Sequence, residues 1–351
     1  MRKWLLVLAG AAAVCSCIAA CLPPAQEQRA QAKHVVLIVW DGMRADFVTE
    51  EHTPNLWKMG QEGVVFRRHH SVYPTATNVN GTAMATGVFP ARSGVIANQE
   101  YRPAIDAENP VDTAVSRNIR KGDEASGGRY LAVPTVPEIL QRSGRRTAIA
   151  GTKWITTLFN RQRVGAAEGN QVVVDGKAWP EATQRALDSL GDYPEKTLPN
   201  NGQDRWTTDA LTESLWKDGV PDFSLLWLSD PDFTAHAIAP GSPEALSAIR
   251  HSDAMLGRVL QALEAKGVRA QTDVFVVSDH GFSTIERAHD VPALLREAGF
   301  RAAKKFEGEA APGSILVAGN AGTTLFYVIG RDEAITRRLV EWLQQSDFAG
   351  V

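Results

Sequence analysis

The chain has 351 residues, 37 Lys and Arg against 40 Asp and Glu, a formal net charge of −3, and 44% hydrophobic residues. That length suits one large α/β domain or two ordinary ones. The near balance of charge and the lack of a long basic stripe argue against nucleic-acid duplex binding through bulk electrostatics.

The N-terminus reads as a targeting segment rather than as fold. Arg2-Lys3 precede an apolar run from Trp4 to Ala20, the layout of a secretory signal over residues 1–20. The run is short and Ala-rich for a membrane span. All three cysteines, Cys15, Cys17 and Cys21, lie in this stretch. Ile18-Ala19-Ala20-Cys21 resembles the lipobox of bacterial lipoproteins, which implies lipidation of Cys21 and a periplasmic or cell-envelope location. A plainly cleaved signal is the alternative. In both cases no disulfide staples the body. Residues 21–33, with Pro23-Pro24 and several Gln, read as anchor and tether, and the lipid would be the chain's single contact with a membrane.

From residue 34 onward strands and helices alternate. His34 to Trp40 is a continuous apolar run, the signature of a strand buried on both faces. Thr53-Pro54 opens a helix that stops at Gly63, and Val64-Val65-Phe66 begins an extended piece. Thr77 to Thr86 reads as a helix closed by Gly87. Residues 98–128 are polar and irregular, an expected surface excursion. Val133-Pro134 opens a helix to about Ser143, and Arg146 to Gly151 is a strand. Residues 155–204 show weak periodicity and many Gly and Asn, so an inserted cap is expected there. Asp204 to Trp216 is helical, Asp222 to Leu228 a strand, Ser242 to Lys266 a long helix and Asp273 to Ser278 a strand. Val291 to Ala298, Thr323 to Ile329 and Asp332 to Gln345 follow as helix, strand and helix. The pattern predicts an α/β fold with a mostly parallel central sheet and helices on both faces, over residues 34–351. Phe348 to Val351 reads as the entry into another element, so a C-terminally incomplete domain is expected.

Four segments carry the chemistry. Asp41 ends the first strand, with Gly42 permitting a sharp exit. Thr75 and Thr77 stand at a helix start, where either could cap; a hydroxyl there, facing a metal, would instead be a good nucleophile. Asp232 and His236 are four apart and share a face if that stretch is helical, with Asp230 as a competing carboxylate. Asp279-His280-Gly281 repeats the arrangement of acid and glycine at another strand end. Open α/β sheets gather ligand-binding residues at such ends. Carboxylates, imidazoles and one hydroxyl suit a pair of zinc-like ions. Lys153, after the strand ending at Gly151, reads equally as a substrate contact and as a rim residue. His69-His70 after Arg67-Arg68 reads as a solvated basic loop.

The order and spacing of the four segments resemble the alkaline phosphatase superfamily, in particular its type I phosphodiesterase/nucleotide pyrophosphatase branch. The resemblance implies an alkaline phosphatase-like sheet and two zinc ions. It also implies hydrolysis of phosphodiester or pyrophosphate bonds in small molecules, nucleotide-like or lipid-headgroup. It places Asp41, Thr77, Asp279 and His280 around one zinc, and Asp232 and His236 on the other, within Asp230-Pro231-Asp232-x-x-x-His236. Pro74-Thr75-Ala76-Thr77 matches the family's Pro-Thr-x-Thr, which makes Thr77 the nucleophile that forms a phospho-threonine. Gly94-Val95-Ile96-Ala97-Asn98 matches a segment whose Asn donates to the phosphoryl oxygen, which makes Asn98 the transition-state donor.

The chain also departs from the pattern. Where the family commonly has Phe-Pro-Asn-His after the nucleophile, this chain has Asn78-Val79-Asn80-Gly81, so the expected wall for a nucleotide base is missing. The family's Gly-x-His-Gly, which gives the second zinc its third protein ligand, has no match. A phosphomonoesterase or phosphonate hydrolase of the same superfamily, or a lipid-anchored binding protein without catalysis, are the alternative readings.

Overall fold

The most apolar runs of the chain become the inner strands of one sheet. The computed structural model describes residues 32–161 and 170–350, so the expected signal, Cys21 and nearly all of the tether lie outside the described residues. The strands are β1 (His34–Trp40), β2 (Thr147–Gly151), β3 (Asn170–Val174), β4 (Lys177–Trp179), β5 (Phe223–Leu228) and β6 (Thr272–Val277). Their order is β4-β3-β2-β5-β1-β6. All neighbours in this sheet are parallel except β3 and β4.

Side chains alternate between two cores because the strand period is two. Val36, Ile38 and Trp40 of β1 pack with Leu226 and Leu228 of β5 against one helical layer. That layer contains the helix Pro243–Ala265 and the helix Asn201–Asp209, which continues as a π-helix over Ala210–Leu215. Val39, Ile149, Leu225 and Trp227 face the opposite way, with Ala85 of the helix Thr77–Thr86 and Ile119 of Ser116–Ser126. Helices therefore cover both faces, as the apolar runs predict. The long helix starts cleanly because Ser242 accepts the Ala245 N–H at 3.1 Å behind Pro243. Among the described residues no helix is long and apolar enough to cross a membrane.

Several stretches differ from expectation. Residues 155–204 were expected as a cap, yet Asn170–Val174 and Lys177–Trp179 are strands of the central sheet. The turn between them, Asp175-Gly176, has φ of 49° and 73°. Two positive φ values in a two-residue loop are those of a type I′ hairpin, for which Asp-Gly is a favoured pair. The expected excursion at 98–128 contains a two-stranded ladder, Gln99–Glu100 with Val111–Asp112, and the helix Ser116–Ser126. Thr323–Val328 is a strand, but in a separate three-stranded sheet with Ile315–Asn320 and Ala302–Ala303. Val64-Val65-Phe66 forms no strand and is exposed.

Candidate metal centre and nucleophile

Three adjacent parallel strands, β5, β1 and β6, end side by side and deliver acids and imidazoles just beyond their last residues. Asp41 follows β1 directly, Asp232 opens the short helix Asp232–Ala237 after β5, and Asp279-His280 follow β6. Gly42 turns the chain away with φ of 68°, and a Cβ there would stand 2.8 Å from that of Asp232. The bare backbone allows this approach. Main-chain hydrogen bonds then join the three ends. Asp232 N–H donates to the Asp41 carbonyl at 2.9 Å, and Gly42 N–H donates to Asp279 Oδ1 at 3.0 Å.

The result is a small acidic cage. Ligand atoms of Asp41, Asp232 and His280 all lie within 4.8 Å of one another. His280 Nε2 is 3.5 Å from Asp41 Oδ1, 3.4 Å from Asp279 Oδ2 and 3.8 Å from Asp232 Oδ1. Its Nδ1 lies 2.8 Å from the Gly281 carbonyl, which orients the ring so that Nε2 faces the cage. Asp41 is also fixed from below, since buried Trp227 donates Nε1–H to its Oδ2 at 2.8 Å. His236 Nε2 sits 3.3 Å from Asp232 Oδ1, with a largely exposed side chain whose ring meets Phe282 edge-on.

Thr77 is the first residue of the helix Thr77–Thr86, and its Oγ1 lies 3.1 Å from His280 Nε2. The hydroxyl thus stands at a helix N-terminus, where free N–H groups and the macrodipole favour anions. Asn98 Oδ1 accepts the Asn78 N–H at 2.8 Å, one residue from Thr77. With its oxygen held, the side chain keeps its NH2 group for donation. Asn78 is buried and donates to Asp112 Oδ1 at 3.2 Å and Thr113 Oγ1 at 3.0 Å. At the position of the expected aromatic wall, the chain therefore has a clamp on the neighbouring ladder.

Two residues matter more than their sequence context indicates. Lys153, left between substrate contact and rim, places Nζ 2.9 Å from Asp41 Oδ1 and 2.6 Å from Asp232 Oδ2. Asp204 is fully buried. It accepts from Thr152 Oγ1 at 2.5 Å, from Ser229 N and Oγ at 2.8 and 3.1 Å, and from Asp230 N at 3.1 Å. It thereby ties the end of β2 to the end of β5. Nothing local in the sequence marks either residue, since each is a lone charged side chain, Lys153 after a strand and Asp204 within a helix. Asp230 is turned away from the cage. Its carboxylate accepts from Asn200 N at 2.7 Å and from Thr234 N and Oγ1 at 3.0 and 2.8 Å.

Charge is unevenly distributed over these groups. Burial, reinforced by Asp279, pushes Asp41 well above the ordinary carboxylate range despite Lys153. Burial also raises Asp232, but His236 and Lys153 outweigh it and hold that carboxyl low. Burial opposes charge on Lys153 and His280, yet the surrounding aspartates win and raise both. Burial pushes Asp204 up to about 6 against the hydrogen bonds from Thr152 and Ser229.

The donor set fits a divalent metal. Asp41 Oδ1, Asp232 Oδ1 and Asp279 Oδ2 are buried and form no aligned hydrogen bond; their near partners are Lys153 Nζ and the His236 and His280 rings, in ion-pair contacts. Buried acceptors without aligned donors are costly, and a hard or borderline cation satisfies them. His280 Nε2 faces all three oxygens.

The model of the family described as type I phosphodiesterase/nucleotide pyrophosphatase matches residues 35–336. Human ectonucleotide pyrophosphatase/phosphodiesterase family member 1 is 24% identical over 255 residues, covering 70% of this chain and 23% of that protein. Human family member 7 is 24% identical over 267 residues, covering 75% of this chain and 51% of that protein. The chain thus spans between about a quarter and a half of the length of these relatives. Among solved structures, phosphonoacetate hydrolase from Sinorhizobium meliloti, in complex with phosphonoformate, aligns with a TM-score of 0.65 at 22% identity. The alignment covers 91% of this chain and 73% of that one. Murine ectonucleotide pyrophosphatase/phosphodiesterase 5, an inactive form in complex with AMP, aligns with a TM-score of 0.55 at 16% identity, covering 88% and 70%. Both likenesses are of fold.

Proposed function

The chain belongs to the type I phosphodiesterase/nucleotide pyrophosphatase family of the alkaline phosphatase superfamily, and from that membership we propose that it hydrolyses phosphodiester or pyrophosphate bonds through a phospho-threonine on Thr77. The observation that carries this reading is the approach of Thr77 Oγ1 to His280 Nε2, at a helix N-terminus, beside three buried aspartates. Two zinc ions are the proposed cofactors. Asp41, Thr77, Asp279 and His280 would hold one, and Asp232 and His236 would contribute to the other. When bound, the ions supply Lewis acidity that lowers the hydroxyl pKa and offsets charge on the phosphoryl oxygens.

The protein's own groups do the positioning. The Gly281 carbonyl fixes the His280 ring so that Nε2 is presented to Thr77. The helix N-terminus favours the incoming anionic phosphorus group. Thr77 Oγ loses its proton to solvent and bonds to phosphorus as the bond to the leaving oxygen breaks and that oxygen takes up a proton; water then attacks the same phosphorus, the bond to Oγ breaks, and a proton from the water restores the hydroxyl. Asn98, oriented by the Asn78 N–H, donates its NH2 to a non-bridging oxygen. Because Asn78 is committed to Asp112 and Thr113, recognition of a nucleotide base would need other residues, and a lipid headgroup or other small diester is equally suited. The leader and Cys21 support export to the periplasm or cell envelope.

A Thr77→Ala variant is expected to lose on the order of a thousandfold or more in turnover of a chromogenic diester, with its fold intact by circular dichroism. Undiminished turnover would remove Thr77 from the mechanism. The fold likeness to phosphonoacetate hydrolase supports a second reading, cleavage of a phosphonate. Parallel assays on a diester and on phosphonoacetate separate the two.

A further inference from the structure

Asn98 reaches the site from a loop, yet its position is set by a strand far along the chain. Asn320 closes the strand Ile315–Asn320 of the small sheet, 221 positions after Gln99. Its side-chain amide pairs with the main chain of Gln99, the residue directly after Asn98. Oδ1 accepts the Gln99 N–H at 2.7 Å, and Nδ2 donates to the Gln99 carbonyl at 3.1 Å and to the Ala318 carbonyl at 3.3 Å. Asn320 is 8% exposed, so these bonds form in a low-dielectric setting, where they are stronger than in water. The Gln99 N–H belongs to the peptide bond that leaves Asn98. The other end of that bond, the Asn98 carbonyl, accepts the Thr113 N–H at 2.9 Å. One peptide plane is therefore held at both ends, by Thr113 and by Asn320. The Asn78 N–H then holds Asn98 Oδ1 at 2.8 Å. Together these bonds leave the Asn98 NH2 little freedom of direction.

We propose that Asn320 is a positioning residue for phosphoryl transfer, acting through the Asn98–Gln99 peptide to aim the Asn98 side chain at the transition state. The inference rests on the reading of Asn98 as donor to a non-bridging oxygen. Such a donor works only when preorganised, and a misplacement of about 1 Å can cost on the order of a hundredfold in rate. Loss of the Asn320 amide leaves the Gln99 N–H and C=O without their partner, and the main chain beside Asn98 relaxes. The small sheet does not depend on this pair to stay docked. Tyr101 meets Phe306 and Tyr327 edge-on at ring distances of 6.1 and 5.7 Å, and the Phe306 N–H donates to the Glu108 carbonyl at 2.8 Å. Asn320 thus adds little to docking and much to the geometry of Asn98.

The test is a double-mutant cycle on the full chain with zinc supplied. It is read as kcat and KM on a chromogenic diester, or on phosphonoacetate if that is what wild type cleaves. Asn98→Ala is expected to lower kcat by on the order of a hundredfold or more. Asn320→Ala is expected to lower kcat by about tenfold or more, with KM within about twofold of wild type. In the Asn98→Ala background the same change is expected to cost less than about twofold, because the group it aims is gone. Losses that multiply in the double variant overturn the proposal, since a merely structural role acts in both backgrounds. Wild-type kcat in Asn320→Ala, beside a large loss in Asn98→Ala, overturns it as well. Wild-type kcat in Asn98→Ala defeats the donor reading and the proposal with it. Should Asn320→Ala not fold, Asn320→Asp, which keeps the acceptor for the Gln99 N–H and loses the donor, decides by the same cycle.

Discussion

Strands β5 and β6 flank β1 and both end in candidate ligands, but they hold those ligands in different ways. Every residue of β5 is buried, and the segment after it is tied by Asp204, which accepts from Ser229 and Asp230, and by the Asp232 N–H bond to Asp41. β6 is an edge strand paired only with β1, and Phe275 on it is 42% exposed. Its ligands depend on a few hydrogen bonds. Gly42 N–H donates to Asp279, and Ser278 Oγ donates to the His280 carbonyl at 2.6 Å. The central ligands are set by the packed core and the edge ligands by local polar contacts. Substitutions near β5 should therefore appear first as lost stability, and those near β6 as altered chemistry.

The most damaging way to break the contrast is at the residue both halves share. Gly42→Ala introduces a Cβ 2.8 Å from that of Asp232 at a φ of 68°. It is expected to lower stability by about 3 kcal/mol in urea titration, through strain and overpacking, and to abolish diester turnover. Retained stability together with retained turnover would show that the three strand ends are not held as one unit.

Asp204→Asn probes the buried side alone. In the folded protein burial pushes this carboxyl up to about 6, against about 4 in an unfolded chain. Between those values the unfolded state has released its proton and the folded state retains it. The contribution of Asp204 to stability is thus complete below about pH 4 and declines as pH rises through about 6. The stability of wild type relative to Asp204→Asn should fall by about 3 kcal/mol from pH 4 to pH 7, measured by denaturant titration at each pH. A flat difference would mean that the Thr152 and Ser229 hydrogen bonds, not burial, govern the group.

The smallest expected change in stability is at the edge. Ser278→Ala removes one hydrogen bond to the His280 carbonyl and should cost about 1 kcal/mol or less. Turnover should nevertheless drop several-fold as His280 loosens. A loss of stability as large as that of the buried variants would erase the distinction between the two strands.

Much of this arrangement was legible in the residues, because it rests on local rules. Continuous apolar runs from Val35 to Val39 and from Leu225 to Leu228 require burial on both faces. An Asp or His directly after such a run has few places to go other than the carboxyl edge of the sheet. The strands at 170–179 were read as part of a cap because their run is short and adjoins residues poor in pattern. The Asp175-Gly176 turn was the available signal. The roles of Lys153 and Asp204 were not legible. A lone Lys after a strand and a lone Asp in a helix acquire meaning only when tertiary packing brings partners 79 and 25 positions away into contact. Asp230 shows the converse. It lies in the expected motif, yet the turn spends its carboxylate on Asn200 and Thr234.

The main-chain hydrogen bond from Asp232 to Asp41 has an engineering consequence. The two aspartates are coupled backbone to backbone, with a glycine as the spacer between them. Changing either side chain alters which atoms face the cage but not how far apart the two attachment points stand. A variant meant to favour a larger ion, with longer metal–oxygen bonds, would have to shift β1 against the helix after β5. The width of the cage is thus a property of the scaffold, and any selection among metals by size would be inherited from the sheet.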